Sequence, residues 1–309
     1  MQKFKNLLVV IDPTSEHQIA LERAIELSQK NNSKMTIFHS VFDLSYEMTS
    51  ILSIEERDAM RNGVLDQRRA WLDDLVESYS TDGIEISKRV IWHNRPFESI
   101  IELAIEEDFD VIIKGTHEHD KLKSVIFTPT DWHLMRKAPE PVLLVKAKNW
   151  FSGGKILCAI NLEEDDNHRH LSHSIIEHAQ FIAKQFNGEV HLVNAYPGTP
   201  VNIAIELPDF DMINYNESMR EQHHNELIKV AEQFNIAKEH CHVLEGLPED
   251  VIPELTEELS AELVILGTIG RTGISAALIG NTAEHVIDNI NCDLLTLKPD
   301  GFVSPISPK

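Results

Sequence analysis

The sequence predicts an α/β fold of two tandem doubly wound, Rossmann-like domains, each with a mostly parallel five-stranded sheet and the two related by a pseudo-two-fold. Two observations carry this. Apolar runs of four to six residues, rich in β-branched side chains and leucine (LLVVI, MTIFHSV, VIIK, PVLLVK), alternate with amphipathic segments such as HQIALERAIELSQK. That is the pattern of strands covered on both faces by helices. The chain is also written twice. KNLLVVIDP at the start returns as GKILCAINL, and VIWHNRPFESIIELAIEEDFDVIIKGT (90–116) matches HVLEGLPEDVIPELTEELSAELVILGT (242–268) without a gap.

The repeat fixes the domain boundary before any element is assigned. Pro96 falls on Pro248, Gly115 on Gly267 and Lys146 on Lys298, a constant offset of 152 (267 − 115). Near the first strand the offset is 149 (161 − 12), because Asp12 falls on Asn161. Lys148–Gly154 (KNWFSGG) reads as the linker, so the domains are expected at 1–149 and 150–309. Each half runs strand, helix, strand, a long variable segment, helix, strand, helix, strand. A chain of 309 residues gives each half enough length for its own core.

Composition narrows the function classes. No apolar run approaches the roughly 20 residues of a membrane-spanning helix, and the first apolar run ends in Asp12-Pro13 without a small-residue cleavage site. The expectation is a cytoplasmic protein with no membrane span. The net charge is −22, from 50 acidic against 28 basic residues, with no basic patch, so direct nucleic-acid binding is not expected. Cys158, Cys241 and Cys292 have no metal-type spacing and read as reduced, inert thiols.

The most specific stretch is GTIGRTGISAALIGNTAE (267–284), which follows the strand Leu263–Leu266 directly. In doubly wound sheets ligands sit outside the carboxyl ends of the strands, where the winding reverses. Gly267, Gly270 and Gly280 are spaced G-2x-G-9x-G, and Asn281 with Glu284 caps the helix that follows. The amides of such a helix start form an anion site that fits a phosphate chain. The loop is neither GxxxxGK[ST] nor GxGxxG.

Together with HNRPFE, FTPTDWHL and NIAIELP, this stretch resembles the universal stress protein family, in its tandem two-domain form, over both halves of the chain. The resemblance implies the doubly wound fold and, since ATP-binding members carry the same glycine spacing, ATP in the second domain. By position it assigns Gly267, Gly270, Gly280, Asn281 and Thr282 to phosphate and ribose. Ala159, Ile160, Asn161, Ala195 and Leu266 would surround the adenosine. Two residues depart from the family pattern. Asn281 stands where binders commonly have Ser or Thr, and Asn161 where they have Asp, which puts the role of a divalent ion such as Mg in question.

The first copy sets Glu118 against Gly270, Thr128 against Gly280 and Pro129 against Asn281, and Pro129 has no amide hydrogen to offer. Asp120 and Asp131 are expected to add repulsive charge to the rim, while Thr128-Pro129-Thr130-Asp131 still reads as a helix start. Nucleotide binding is therefore expected once per chain. His117 and His119 in HEHD are zinc-ligand types, although His-x-His equally suits a solvated polar turn. His168, His170, His173 and His178 read as an exposed helix face, and Trp71 and Trp132 as core.

Residues 200–215 are apolar without clean periodicity, fitting either a mouth over a hydrophobic small molecule or a packing segment. Residues 45–75 read as a helix pair. No nucleophile and base stand out, since Gly273-Ile274-Ser275 lacks the GxSxG elbow, so no catalytic residues are assigned and the protein is expected to be at most a slow ATPase. The alternatives are an ATP-hydrolysing or adenylyl-transferring enzyme and a hydrophobic-metabolite carrier. The two halves are expected to pair as an intramolecular pseudo-dimer, with homodimerisation also open.

Overall fold

The computed structural model describes residues 4–45, 53–118, 125–126, 128–146, 149–163, 166–198, 211–268 and 286–308. The chain divides into two compact units, the first built mainly from residues 1–119 and 126–147 with 303–309, the second from 148–302.

In the first unit the order is β1 (Asn6–Val10), α1 (Ile19–Asn31), β2 (Lys34–Val41), α2 (Ile54–Glu77), β3 (Ile86–Trp92), α3 (Pro96–Glu106) and β4 (Val111–Gly115). Two short paired strands follow, β5 (His117–Glu118) and β6 (Val125–Ile126), then α4 (Pro129–Lys137) and β7 (Val142–Val145). The sheet runs β7-β4-β1-β2-β3, with β1 parallel to both β2 and β4. Winding thus reverses between β1 and β4. Leu7, Leu8, Val9, Val111, Ile112 and Ile113 are fully buried, as continuous apolar runs under helices on both faces require.

The second unit repeats this with β8 (Lys155–Ala159), α5 (Asp166–Phe186), β9 (Glu189–Tyr196), α6 (Met212–Gln233), β10 (Cys241–Glu245), α7 (Pro248–Leu259), β11 (Leu263–Gly267), a short helix at 286–289 and β12 (Asp293–Leu297). Its sheet runs β10-β9-β8-β11-β12, again parallel throughout, and reverses between β8 and β11. Each sheet has five strands. The fifth, β3 or β10, lies at an outer position of its unit's sheet and is largely half-buried or exposed instead of forming a buried apolar run. A search for apolar runs therefore passes over it.

Local signals explain the helix starts. Thr128 caps α4 and accepts from the Asp131 amide at 3.3 Å, Pro129 takes the first helical position, and the Asp131 carboxylate accepts from the Thr128 amide at 2.6 Å. This is a reciprocal capping box on the residues the sequence marked. Ser53 and Glu56 make the same box at the start of α2, a 24-residue helix that forms the second part of the segment expected to be a helix pair; Ser45 is helical and residues 46–52 lie outside the described residues. Trp71 and Trp132 are half-buried, not core: Trp71 packs on His39 with ring centroids 5.7 Å apart, and Trp132 lies under the Arg136 guanidinium. Residues 199–210, which hold most of the apolar segment, lie outside the described residues.

Glu140 carries a consequence for stability. Burial, reinforced by Asp108, raises its carboxyl to about 7. In the unfolded chain the proton leaves near the ordinary carboxylate value, so between those two pH values the folded state holds more protons and stability falls as pH rises. The slope is at most about 1.4 kcal/mol per pH unit. Glu140→Gln should remove this fall, so the difference in thermal midpoint between variant and wild type should widen from pH 4.5 to 7. A constant difference across that range would refute the assignment.

Candidate functional site

A cavity of about 490 Å³ opens at the reversal point of the second unit. Its floor is the carboxyl end of β8 with the two residues beyond it (Ala159, Ile160, Asn161), the end of β9 (Val193, Asn194, Ala195) and the end of β11 (Leu266, Gly267). Leu171, Ser172 and Ile175 of α5 form one wall, and Gly246 to Glu249 with Ile252 form another. This is a volume suited to a small ligand, at the place where open α/β sheets bind one.

Six of the residues assigned from the sequence line this one cavity: Ala159, Ile160, Asn161, Ala195, Leu266 and Gly267. Gly270, Gly280, Asn281 and Thr282 lie outside the described residues, as do His119, Asp120 and Arg271. His117 is described only as backbone, within β5.

Hydrogen bonds hold the floor in shape. Asn194, buried inside β9, donates from Nδ2 to the Ile160 carbonyl at 2.9 Å, and its Oδ1 meets His223 Nδ1 at 2.8 Å. His223 in turn stacks on Tyr196. Ser172 Oγ donates to the Asn161 carbonyl at 3.0 Å, tying α5 to the strand end. Asn161 Oδ1 accepts from the Glu163 amide at 2.9 Å, closing a local turn, and Asp12 does the same for Thr14 in the first unit. Both residue types serve that turn. The exchange therefore removes a charge while leaving the backbone path intact.

Gly267 has a second role that spacing alone does not reveal. A β-carbon there would lie 2.4 Å from Leu171 Cδ2, and one on Gly115 would lie 2.9 Å from Ile19 Cγ1. Both glycines admit the first helix of their unit against a central strand. This explains why the first glycine survives in both copies while the other two are lost from the first. Gly267→Ala should cost about 1–3 kcal/mol by overpacking, and Gly115→Ala less. Equal denaturation midpoints for the two variants would contradict the difference in clearance.

The first unit departs from the sequence expectation at Asp131. Its carboxylate is fully buried, not on a rim, and pairs with Lys114 Nζ at 2.8 Å. By the offset of 152 (266 − 114), Lys114 occupies the position of Leu266, and Asp131 that of Ala283. Asp131 thus belongs to an internal ion pair at the strand end, with Lys114 in place of a cavity-lining leucine, and adds no unpaired charge to a rim; Asp120 lies outside the described residues. Phe97, at the position of Glu249, stacks on His133 with centroids 3.9 Å apart.

Some cavity residues went unassigned from sequence. Asn194 lay hidden in an apolar strand, and Leu247 and Glu249 flank a Pro248 that the repeat marked without indicating its place. His168 lines the cavity with Nδ1 3.5 Å from Glu163, while His178 is buried and bonds the Ser174 carbonyl at 2.7 Å. Both depart from the expected exposed face. Cys158 and Cys292 are buried and Cys241 half-buried, all as free thiols, and burial pushes the Cys158 thiol far up.

Comparison with known proteins agrees with this architecture. The model of the universal stress protein family matches residues 3–146 and again 154–298. The chain belongs to the universal stress protein family. Among its relatives in that family, universal stress protein E of Escherichia coli K12 is 50% identical over 308 residues, covering 99% of this chain and 98% of the relative. The universal stress protein E homolog of Haemophilus influenzae is 44% identical, covering 96% and 98%. A crystal structure of a functionally unknown Pseudomonas aeruginosa protein superimposes with a TM-score of 0.76 at 30% identity, covering 97% of this chain and 95% of the other. Two universal stress protein domains in tandem, each with a mostly parallel sheet, account for the whole repeat. Among the described residues no helix is long and apolar enough to cross a membrane.

Proposed function

We propose that this is a cytosolic stress-response protein that binds one ATP, in the second unit, as a regulatory or sensing ligand. The observation that carries the reading is the cavity at the β8/β11 reversal, whose floor ends at Gly267, the first glycine of the G-2x-G-9x-G loop. The adenosine would rest on Ala159, Ile160, Ala195 and Leu266. The phosphates would run toward the loop and the amides of Asn281 and Thr282, which hold anions without any net positive charge on the protein. Such amide binding is compatible with a chain of net charge −22.

A regulatory role is favoured over an enzymatic one because the cavity's ionisable side chains are Glu163, His168 and Glu249, with no lysine or arginine among its described lining to stabilise charge on a transferring phosphoryl group. Native mass spectrometry of the full-length protein in the presence of ATP tests the reading: one nucleotide mass per chain is expected. Failure to retain any, with a hydrophobic metabolite bound instead, would replace it with the carrier reading.

A further inference from the structure

Away from the cavity, at the amino-terminal end of β9, Glu189 and His191 lie two residues apart and so share a face of the sheet. The neighbouring strand β10 begins at Cys241, opposite Leu192, which brings the preceding turn and its His240 alongside His191. One ligand atom from each of Glu189, His191 and His240 falls within 4.8 Å of the other two. We propose that these three residues form a binding site for a divalent transition-metal ion, zinc by preference, with water in the remaining position.

Three features support it. First, His191 is buried with only 5% of its surface exposed, yet its Nε2 has no hydrogen-bond partner. A buried polar nitrogen left so is costly and calls for an explanation. Second, Nε2 stands 3.7 Å from Glu189 Oε2, beyond a hydrogen bond but close to the roughly 3.3 Å that separates two ligands on a tetrahedral zinc with bonds of about 2.0–2.1 Å. Third, His191 Nδ1 is 3.1 Å from His242 Nε2. With the proton on Nδ1 donated to His242, the Nε2 lone pair is fixed toward the carboxylate, the arrangement by which an outer residue orients a metal-bound imidazole.

The donor set of two imidazoles and a carboxylate suits zinc and neighbouring transition metals better than calcium or magnesium. His240 stacks on His191 with centroids 4.3 Å apart, so its ring must turn modestly to aim a nitrogen at the shared point. Lys155, on β8 opposite Glu189, is a nearby cation acting on this cluster, and Glu258 acts on His242 with the opposite sign.

The test uses the full-length protein stripped with EDTA and titrated with zinc against a chromophoric chelator. Cobalt substitution reports the coordination by its visible absorption. One zinc per chain is expected. Glu189→Gln at an exposed position and His240→Gln at a half-buried one should each weaken it at least tenfold, and His191→Asn about a hundredfold. His242→Phe, which removes a positioning group, should weaken zinc by about tenfold with the cobalt spectrum still that of a four-coordinate ion. The His117→Asn/His119→Asn double variant should keep the zinc that Glu189→Gln and His240→Gln weaken. No zinc binding, or zinc lost only in the His117/His119 variant, would overturn the proposal. So would unchanged affinity in Glu189→Gln and His240→Gln.

Discussion

Lys114→Leu is expected to destabilise the first unit by about 3–5 kcal/mol, because it leaves the fully buried Asp131 carboxylate without its cation. Asp131→Ala should cost a similar amount, since it strands Lys114 and also breaks the Thr128 capping box, itself worth about 1 kcal/mol. The double variant Lys114→Leu/Asp131→Ala installs the residues that the second copy carries at these positions. With no buried charge left unpaired, it should lose far less than the sum of the singles and retain mainly the capping cost. Urea denaturation of the four proteins closes the cycle. A coupling energy near zero would show that the pair contributes nothing beyond its separate parts, and the ion pair would then no longer explain the divergence of the two copies.

Gly270→Glu is the second large effect. It places in the second copy the residue that the first copy has at Glu118. A carboxylate about 4 Å from a phosphate oxygen opposes binding by about 4 kcal/mol at an effective dielectric near 20, so ATP affinity should fall by about three orders of magnitude. Because the sequence assigns Gly270 to the glycine stretch between elements and not to the core of a strand or helix, the thermal midpoint without nucleotide should move little. Calorimetry with ATP checks the first expectation and a melting curve the second. Unchanged affinity would detach the glycine spacing from nucleotide binding.

The fold was legible in the sequence because two independent signals agreed. Apolar runs marked the central strands, and the repeat ordered them. The outer strands Ile86–Trp92 and Cys241–Glu245 were not legible, since a strand with one neighbour in its own unit has no need of a continuous apolar run. At the cavity, the residues beside the glycines were named through the family resemblance, and the structure places them at strand ends that a doubly wound sheet brings together. Asn194 and Glu249 were not, because nothing local distinguishes a polar residue in a strand or first helical turn that faces a cavity from one that faces elsewhere. Asp131 illustrates the limit most clearly. Its capping role followed from spacing within four residues, whereas its partner Lys114 lies on another element and only the folded chain brings them together. The Glu189, His191 and His240 cluster is of the same kind, since His240 is far from the other two in sequence and reaches them through the pairing of β9 with β10.

Retention of a nucleotide site by one of two related domains is tested most directly by titrating the full-length wild-type protein with ATP in a calorimeter. A single class of site with one ATP per chain is the expected result, and a stoichiometry of two, or no binding at all, would contradict it.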